Sequence, residues 1–240
     1  MTSYVSGVDS LLRPPIAFGH RGARAHAPEN TLDSFKLARK LGATGLESDV
    51  WLTADGEPVL DHDGVVRSGL RRRSIADVKR SALPSHIPTL AELYETCGVD
   101  FALSLDMKDP AALDATVAVA DSFAATERLW LCHPDWQLVE TWRTRSDAVK
   151  LVDSTRLRKI TEGHERRAAT LADVGIDALN MHWTDWNAGL VARLHRFDRY
   201  AFGWDAQQPR ALALTFSYGI DGVYSDHVDR LMEALADQVR

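Results

Sequence analysis

Cysteine is scarce in this chain. Cys97 and Cys132 are the only two among 240 residues. That is too few for a disulfide framework or a thiolate metal site, and their apolar surroundings suit buried free thiols. Long apolar runs are also missing. No stretch reaches the roughly 18 residues a membrane-spanning helix needs, so stable membrane insertion is not expected. Positive charge is not in excess: 28 Lys and Arg against 34 Asp and Glu leave a net charge of −6. This argues against a general nucleic-acid binder, because affinity for a phosphate backbone requires a basic surface. A small phosphorylated substrate held by a few local groups is compatible with that balance. Met1 to Pro15 lack a basic start followed by an apolar segment, so they read as a tail, not a secretory leader, and predict a cytoplasmic protein. Internal repeats and low-complexity segments are absent from the sequence.

What is present is ordinary for a globular domain: 45% hydrophobic and 26% charged residues. Short apolar runs alternate with longer helical patterns. The candidate strands are 16–19, 45–51, 58–61, 101–106, 129–132, 149–152, 177–180, 200–204 and 222–225. Several are apolar nearly throughout, as parallel strands covered on both faces are. The first helix starts at Asn30 or Thr31, places Leu32, Phe35, Ala38 and Leu41 on roughly one face, and stops before Gly42. A second starts at Thr89, with Glu92 three residues on, a capping-box pattern. Further helices are expected over 111–125, 135–145, 156–174, 184–197, 208–218 and 226–238.

Nine strands exceed an eight-stranded barrel by one, and a connection length identifies the extra. Only Leu52 to Glu57, with an Asp55-Gly56 turn, separate Trp51 from Pro58. A parallel neighbour needs a crossover of about a dozen residues or more, so this link makes an antiparallel hairpin. The prediction is an α/β fold, a (β/α)8 TIM barrel over 16–240 preceded by a tail over 1–15, with a small insertion after strand 2 at about 52–86.

In such a barrel, sites are built where the strands end at their C-terminal side. The first strand delivers His20 and Arg21. The second carries Glu47 and Asp49, whose i, i+2 spacing points both carboxylates to one face. The third ends with Asp106 and Lys108, and the hairpin ends with Asp61-His62-Asp63. Carboxylates packed into a dry barrel repel one another unless partnered. A divalent cation satisfies them, and three oxygen donors without thiolates suit Mg²⁺ or Ca²⁺. Ion pairs with Arg or Lys would satisfy them equally. His20 and His62 on one rim form a candidate acid/base pair.

The stretch from Gly19 to Asp63 resembles the signature of glycerophosphodiester phosphodiesterases. The pieces are His20-Arg21-Gly22, Pro28-Glu29-Asn30-Thr31, Glu47-Ser48-Asp49-Val50, Thr53-Ala54-Asp55-Gly56, Pro58-Val59 and His62-Asp63. Further matches are Ile87-Pro88-Thr89-Leu90, the strand leading to Lys108, Trp204, Gly219-Ile220-Asp221-Gly222 and Ser225-Asp226, in order over about 16–228. The resemblance implies one divalent cation on Glu47, Asp49 and Asp106, with Asp106 standing where the family usually has glutamate. It implies His20 and His62 as the acid/base pair and Lys108 as a stabiliser of phosphate charge. It places Arg21 and Glu29 near phosphate and metal, and Trp204 as an apolar wall whose alternative is a core role. The implied reaction is metal-dependent hydrolysis of a small-molecule glycerophosphodiester to sn-glycerol 3-phosphate and an alcohol. Two alternatives stay open: a related barrel phosphodiesterase acting on lysophospholipids or another headgroup diester, and a non-catalytic barrel binding phosphorylated ligands.

Two departures from the family pattern stand out. Asp205-Ala206-Gln207 replaces the more usual Thr-Val-Asn, and Gly64 to Arg73 lacks the usual Leu-x-Arg-Thr-Thr-like run. Arg67, Arg71, Arg72 and Arg73 there read as a solvated basic loop, or as an attractor for anionic substrate or headgroups. His133 and His182 follow strands and are candidates for the rim, with Asn180 as a polar contact. His26, His86, His164, His195 and His227 read as surface or local structural residues.

Overall fold

The computed structural model describes residues 8–68 and 71–238. Eight parallel strands close into a barrel: β1 (Ile16–Gly19), β2 (Gly45–Leu52), β6 (Ala102–Met107), β7 (Leu129–His133), β8 (Lys150–Thr155), β9 (Ala178–His182), β10 (Tyr200–Trp204) and β11 (Gly222–Ser225). Closure runs through β1, which pairs with β11 on one side (Phe18↔Tyr224) and with β2 on the other (Phe18↔Gly45). Helices α1 (Leu32–Lys40), α2 (Leu90–Cys97), α3 (Leu113–Ser122), α4 (Trp136–Trp142), α5 (His164–Asp173), α6 (Ala188–His195), α7 (Pro209–Ser217) and α8 (Val228–Gln238) lie between and after the strands. This is the (β/α)8 architecture expected from the sequence.

Between barrel and helices lies one large apolar core that includes Phe35, Leu46, Leu105, Leu131 and Leu231. A separate cluster fills the barrel interior: Phe18, Trp130, Cys132, Val152, Ala178, Phe202 and Tyr224. Phe18 stacks on Tyr224 with ring centroids 4.4 Å apart. Room for these rings comes from Gly45 and Gly222, where an added Cβ would meet Phe18 at 2.5 Å and Phe202 at 2.9 Å. The aromatic plug makes the barrel a packed core with a floor, not a pore, so chemistry is confined to its mouth. Both cysteines are free thiols, as expected; Cys132 is buried in this plug, whereas Cys97, expected to be buried too, is only half-buried.

Local signals read from the sequence act as such. Thr31 caps α1 by accepting from Ser34 N, and Thr89 and Glu92 form a complete capping box on α2. The surplus strand, β3 (Pro58–Leu60), runs antiparallel to the outer half of β2 (Val50↔Leu60) and stays outside the barrel. Val59, Val66, Ile75, Val78, Leu83 and Ile87 give this insertion a small core of its own, packed on Trp51. The basic run expected to be a loop instead forms most of a hairpin, β4 (Val65–Ser68) with β5 (Arg71–Ser74), in which Arg67 pairs with Arg72.

The largest departure falls within 156–174, expected to be one helix. Strand β8 continues to Thr155, a single turn occupies Leu157–Lys159, and α5 begins only at His164. The physical cause is a carboxylate. Asp185 accepts from Arg156 Nε at 2.6 Å and from Leu157 N at 3.1 Å, holding the segment extended across the barrel mouth. At the opposite end, Val8 to Pro15 are docked: Asp221 Oδ1 accepts from Leu11 N at 2.7 Å and from Ser10 Oγ at 2.8 Å. The rest of the expected tail, 1–7, lies outside the described residues. Within them, no helix is long and apolar enough to cross a membrane.

Candidate active site

A cavity of about 480 Å³ opens at the C-terminal ends of the strands. His20, Arg21, Glu47, Asp106 and Trp204 line it. Five of the nine residues singled out from the sequence therefore meet at one place.

The turn after β1 sets the first wall. Arg21 adopts φ +50° and Gly22 φ +84°. A Cβ at Gly22 would lie 2.5 Å from Ser34 Oγ and 2.7 Å from its backbone carbon, so glycine is required by both space and torsion. This tight turn aims the Arg21 backbone N–H at Glu47 Oε2 (2.9 Å) and wraps the guanidinium inward. Arg21 Nη1 donates to both Glu29 oxygens at 3.1 and 3.0 Å, and its Nε lies 3.3 Å from Asp49 Oδ2. Glu29 thus holds Arg21 from outside the cavity lining.

His20 is held at both nitrogens. Its Nδ1 sits 2.6 Å from Asp226 Oδ1, and its Nε2 is 3.7 Å from Glu47 Oε2. Burial works against charge on the imidazole, but Glu47 and the Asp226 hydrogen bond outweigh it and raise its pKa. Asp226 moves the other way: burial would raise it, and the His20 contact brings it below the ordinary carboxylate value. Asp226 was legible only as part of a motif; its partner is 206 positions away in sequence.

Glu47 and Asp49 do lie on the same side of β2, and both are buried. Glu47 is pushed up to about 7, first by burial and then by Asp49 and Asp106, against the opposing effect of His20. Asp49 does not reach the cavity lining. Asn30 Nδ2 donates to its Oδ2 at 3.2 Å, and Lys108 Nζ lies 3.2 Å from its Oδ1. Lys108 Nζ also donates to Asp106 Oδ2 at 2.8 Å, so the ammonium bridges two of the three carboxylates. These carboxylates hold its pKa above that of an ordinary lysine even though burial opposes the charge. The Glu47, Asp49 and Asp106 oxygens do not present a compact ligand triad in this state; among the described residues, that geometry occurs only elsewhere.

His62 is not among the cavity-lining residues. Its Nδ1 pairs with Asp63 Oδ1 at 2.9 Å, although the neighbouring Asp61 N–H donates to the Asp49 carbonyl at 3.1 Å and ties the hairpin to β2. The second half of the cavity was not read from the sequence. Ser154, Thr155, Arg156 and Lys159 line it from the end of β8 and the turn that follows, and Arg24 and Asp205 from the loops after β1 and β10. Arg156 sits over the Trp204 ring at 5.6 Å, so the tryptophan is part of the wall. Asn180 donates to Ser154 Oγ at 3.1 Å, while its buried Oδ1 has no partner.

The mouth therefore combines acidic groups with four cationic side chains, Arg21 and Arg24 among the carboxylates and Arg156 and Lys159 after β8. This mixture of charges, at the mouth of an α/β barrel, has the chemistry that suits a small anionic ligand. A family model described as the glycerophosphoryl diester phosphodiesterase family matches residues 20–230, and the chain belongs to that family. A glycerophosphodiester phosphodiesterase of Caldanaerobacter subterraneus is 33% identical over 109 residues, 39% of this chain and 45% of that protein. A mouse glycerophosphodiester phosphodiesterase domain-containing protein 4 is 44% identical over 78 residues, 32% of this chain and 12% of that protein. The chain thus matches less than half the length of these curated relatives. The glycerophosphodiester phosphodiesterase of Thermotoga maritima superposes with a TM-score of 0.78 at 24% identity, over 94% of this chain and 98% of that one. An Oleispira antarctica phosphodiesterase, solved with the product sn-glycerol-3-phosphate, superposes with a TM-score of 0.79 at 21% identity, over 93% and 98%.

Proposed function

We propose that the protein hydrolyses glycerophosphodiesters to sn-glycerol 3-phosphate and an alcohol. The observation that carries this reading is the cavity mouth itself, where His20, Glu47 and Asp106 share one lining with Arg21, Arg24, Arg156, Lys159 and Trp204. The family membership and the product held by the Oleispira relative agree with it.

The carboxylate side fits a divalent cation, Mg²⁺ or Ca²⁺. Its donors are all oxygen, and burying Glu47 beside Asp49 and Asp106 creates a need for positive charge that the Glu47 pKa records. Glu47, Asp49 and Asp106 would hold the ion, and Lys108 would yield part of its contact with the two aspartates. Such an ion, when bound, supplies Lewis-acid polarisation of a phosphate oxygen.

The protein's own residues account for the rest. Arg21 and Lys108 offset the negative charge that grows on the phosphoryl oxygens. Against the effect of burial, Glu47 and Asp226 raise the His20 pKa, which suits it to donate a proton to the departing alcohol oxygen as its bond to phosphorus breaks. His62 takes the proton from the oxygen that forms the new bond to phosphorus. That assignment requires the imidazole to leave Asp63 and turn toward the cavity. Trp204, on the cavity wall, packs on the carbon chain.

The proposal extends to a water-soluble substrate in preference to a lysophospholipid. Among the described residues, the exposed large apolar side chains are Leu11 and Leu214, and neither lines the cavity. A lipid substrate needs an apolar lip beside the site. Glycerophosphocholine is therefore expected to be turned over at least about tenfold faster, in kcat/KM, than lysophosphatidylcholine, a difference of about 1.4 kcal/mol. The reverse order would replace the proposed substrate with the lipid.

The charges also predict a pH effect on stability. Glu47 binds its proton more tightly in the folded chain than in the unfolded one, from its ordinary 4.5 up to about 7. His20 is likewise raised from 6.5. For both groups the folded state holds more protons, so each favours folding at low pH and loses that contribution as pH rises through the folded pKa. The Tm of the metal-free protein should fall from about pH 5 to about pH 7.5, and Mg²⁺ or Ca²⁺ should flatten that fall. A Tm that rises over this window with no dependence on the cation would contradict the assignment.

A further inference from the structure

Away from the barrel mouth, His26, His227 and Asp229 each offer a ligand atom within 4.8 Å of the others. His26 Nε2 already sits 2.9 Å from Asp229 Oδ1, and the two imidazole rings stand edge to face with centroids 5.9 Å apart. The three residues come from two segments, the loop between β1 and α1 and the start of α8. Those segments are joined where it matters. The Ala25 N–H, one residue before His26, donates to the carbonyl of Asp226, one residue before His227. His26 N donates to Ala23 O at 2.8 Å, and His227 N donates to Ser225 Oγ at 3.2 Å, so both backbones are fixed independently of any ion. Neither histidine belongs to the cavity, and the family motifs assign neither a role.

We propose that His26, His227 and Asp229 form a second metal site, specific for a zinc-class divalent ion, that clasps the β1–α1 loop to the start of α8. Two imidazole nitrogens and one carboxylate are the donors of zinc and its late first-row neighbours, not of Mg²⁺ or Ca²⁺. The site thus differs in kind from the all-oxygen set on β2 and β6. Tetrahedral coordination at Zn–N of about 2.0–2.1 Å places ligand atoms about 3.3 Å apart. The ligand atoms lie within 4.8 Å of one another, with His26 Nε2 and Asp229 Oδ1 already at 2.9 Å. His26 and Asp229 are 36% and 43% exposed at the side chain, which leaves an open approach for the ion and a place for a water as fourth ligand. The bound ion displaces the proton shared between His26 and Asp229. It ties the loop that carries Arg21, Arg24 and Glu29 to the residue adjoining Asp226, the partner of His20.

The test is calorimetric titration of tag-free, full-length protein with Zn²⁺, in excess Mg²⁺ to load the barrel carboxylates. Wild type should bind one zinc ion at this site, with Tm raised by about 5 °C at saturating zinc. His26→Ala and His227→Ala should each weaken that binding at least about tenfold, the floor expected for loss of a ligand. His86→Ala, at an exposed histidine elsewhere, and Glu47→Gln, on the barrel side, should retain it. Wild-type zinc affinity in both His26→Ala and His227→Ala would overturn the proposal. So would the absence of zinc binding, or binding lost in Glu47→Gln and kept in His26→Ala, which places the ion in the barrel.

Discussion

Replacing His20 with alanine is expected to lower kcat on glycerophosphocholine by roughly 10²–10⁴-fold, the range for loss of a general acid. Both ring nitrogens face carboxylates. Asp226 at 2.6 Å fixes the ring through Nδ1, and Glu47 at 3.7 Å keeps Nε2 in a negative field at the cavity. Asp226 touches the histidine and not the cavity, so it is a positioning residue. Asp226→Asn keeps the side-chain shape but removes the charge that favours imidazolium. Its kcat should fall less than that of His20→Ala, and the basic limb of its pH–rate profile should move to lower pH. A purely structural role would lower the amount of folded protein without moving that limb. His62→Ala provides the companion test. A loss below threefold in folded His20→Ala and His62→Ala would remove both histidines from the chemistry.

Lys108→Met is the second large effect. The ammonium lies 2.8 Å from Asp106 and 3.2 Å from Asp49, and with Arg21 it is one of two positive charges against these carboxylates. Methionine keeps much of the length and removes the charge. If Lys108 offsets charge on the phosphoryl group, kcat should fall by roughly 10²–10³, the loss seen when one preorganised donor to a developing anion is deleted. Divalent-cation affinity should hold or rise, because a competing cation has left Asp49 and Asp106. This opposition separates the two roles open to the residue. Activity within threefold of wild type would show that the lysine only neutralises the aspartates. A joint collapse of cation binding and activity would show that it builds the cation site.

The barrel was legible because its signals are local and agree with one another. Apolar runs bounded by turn residues mark the strands, Thr31 and Thr89 mark helix starts, and the short Trp51 to Pro58 link excludes β3 from a parallel sheet. The acidic half of the site was legible for the same reason: Glu47 and Asp49 share a strand face, and strand order brings Asp106 beside them (Asp49↔Asp106). The basic half was hidden by a long-range cause. Nothing near Arg156 in sequence announces that Asp185 will hold it extended, and a helical pattern was the natural local reading. His62 shows a different limit. Sequence order places it at the rim, but a neighbouring carboxylate, Asp63, decides which way the ring turns. The arginines at 67–73 read as a loop because no apolar alternation marks them, yet Val66 and Ile75 pin that hairpin to the insertion's core.

The most direct test of the central claim is release of sn-glycerol 3-phosphate from glycerophosphocholine by metal-stripped protein, before and after Mg²⁺ or Ca²⁺ is restored. The site predicts no turnover in chelator, recovery with the cation, and no recovery in Glu47→Gln. Folded protein that releases no glycerol 3-phosphate with either ion, or that releases it equally in chelator, would contradict the account.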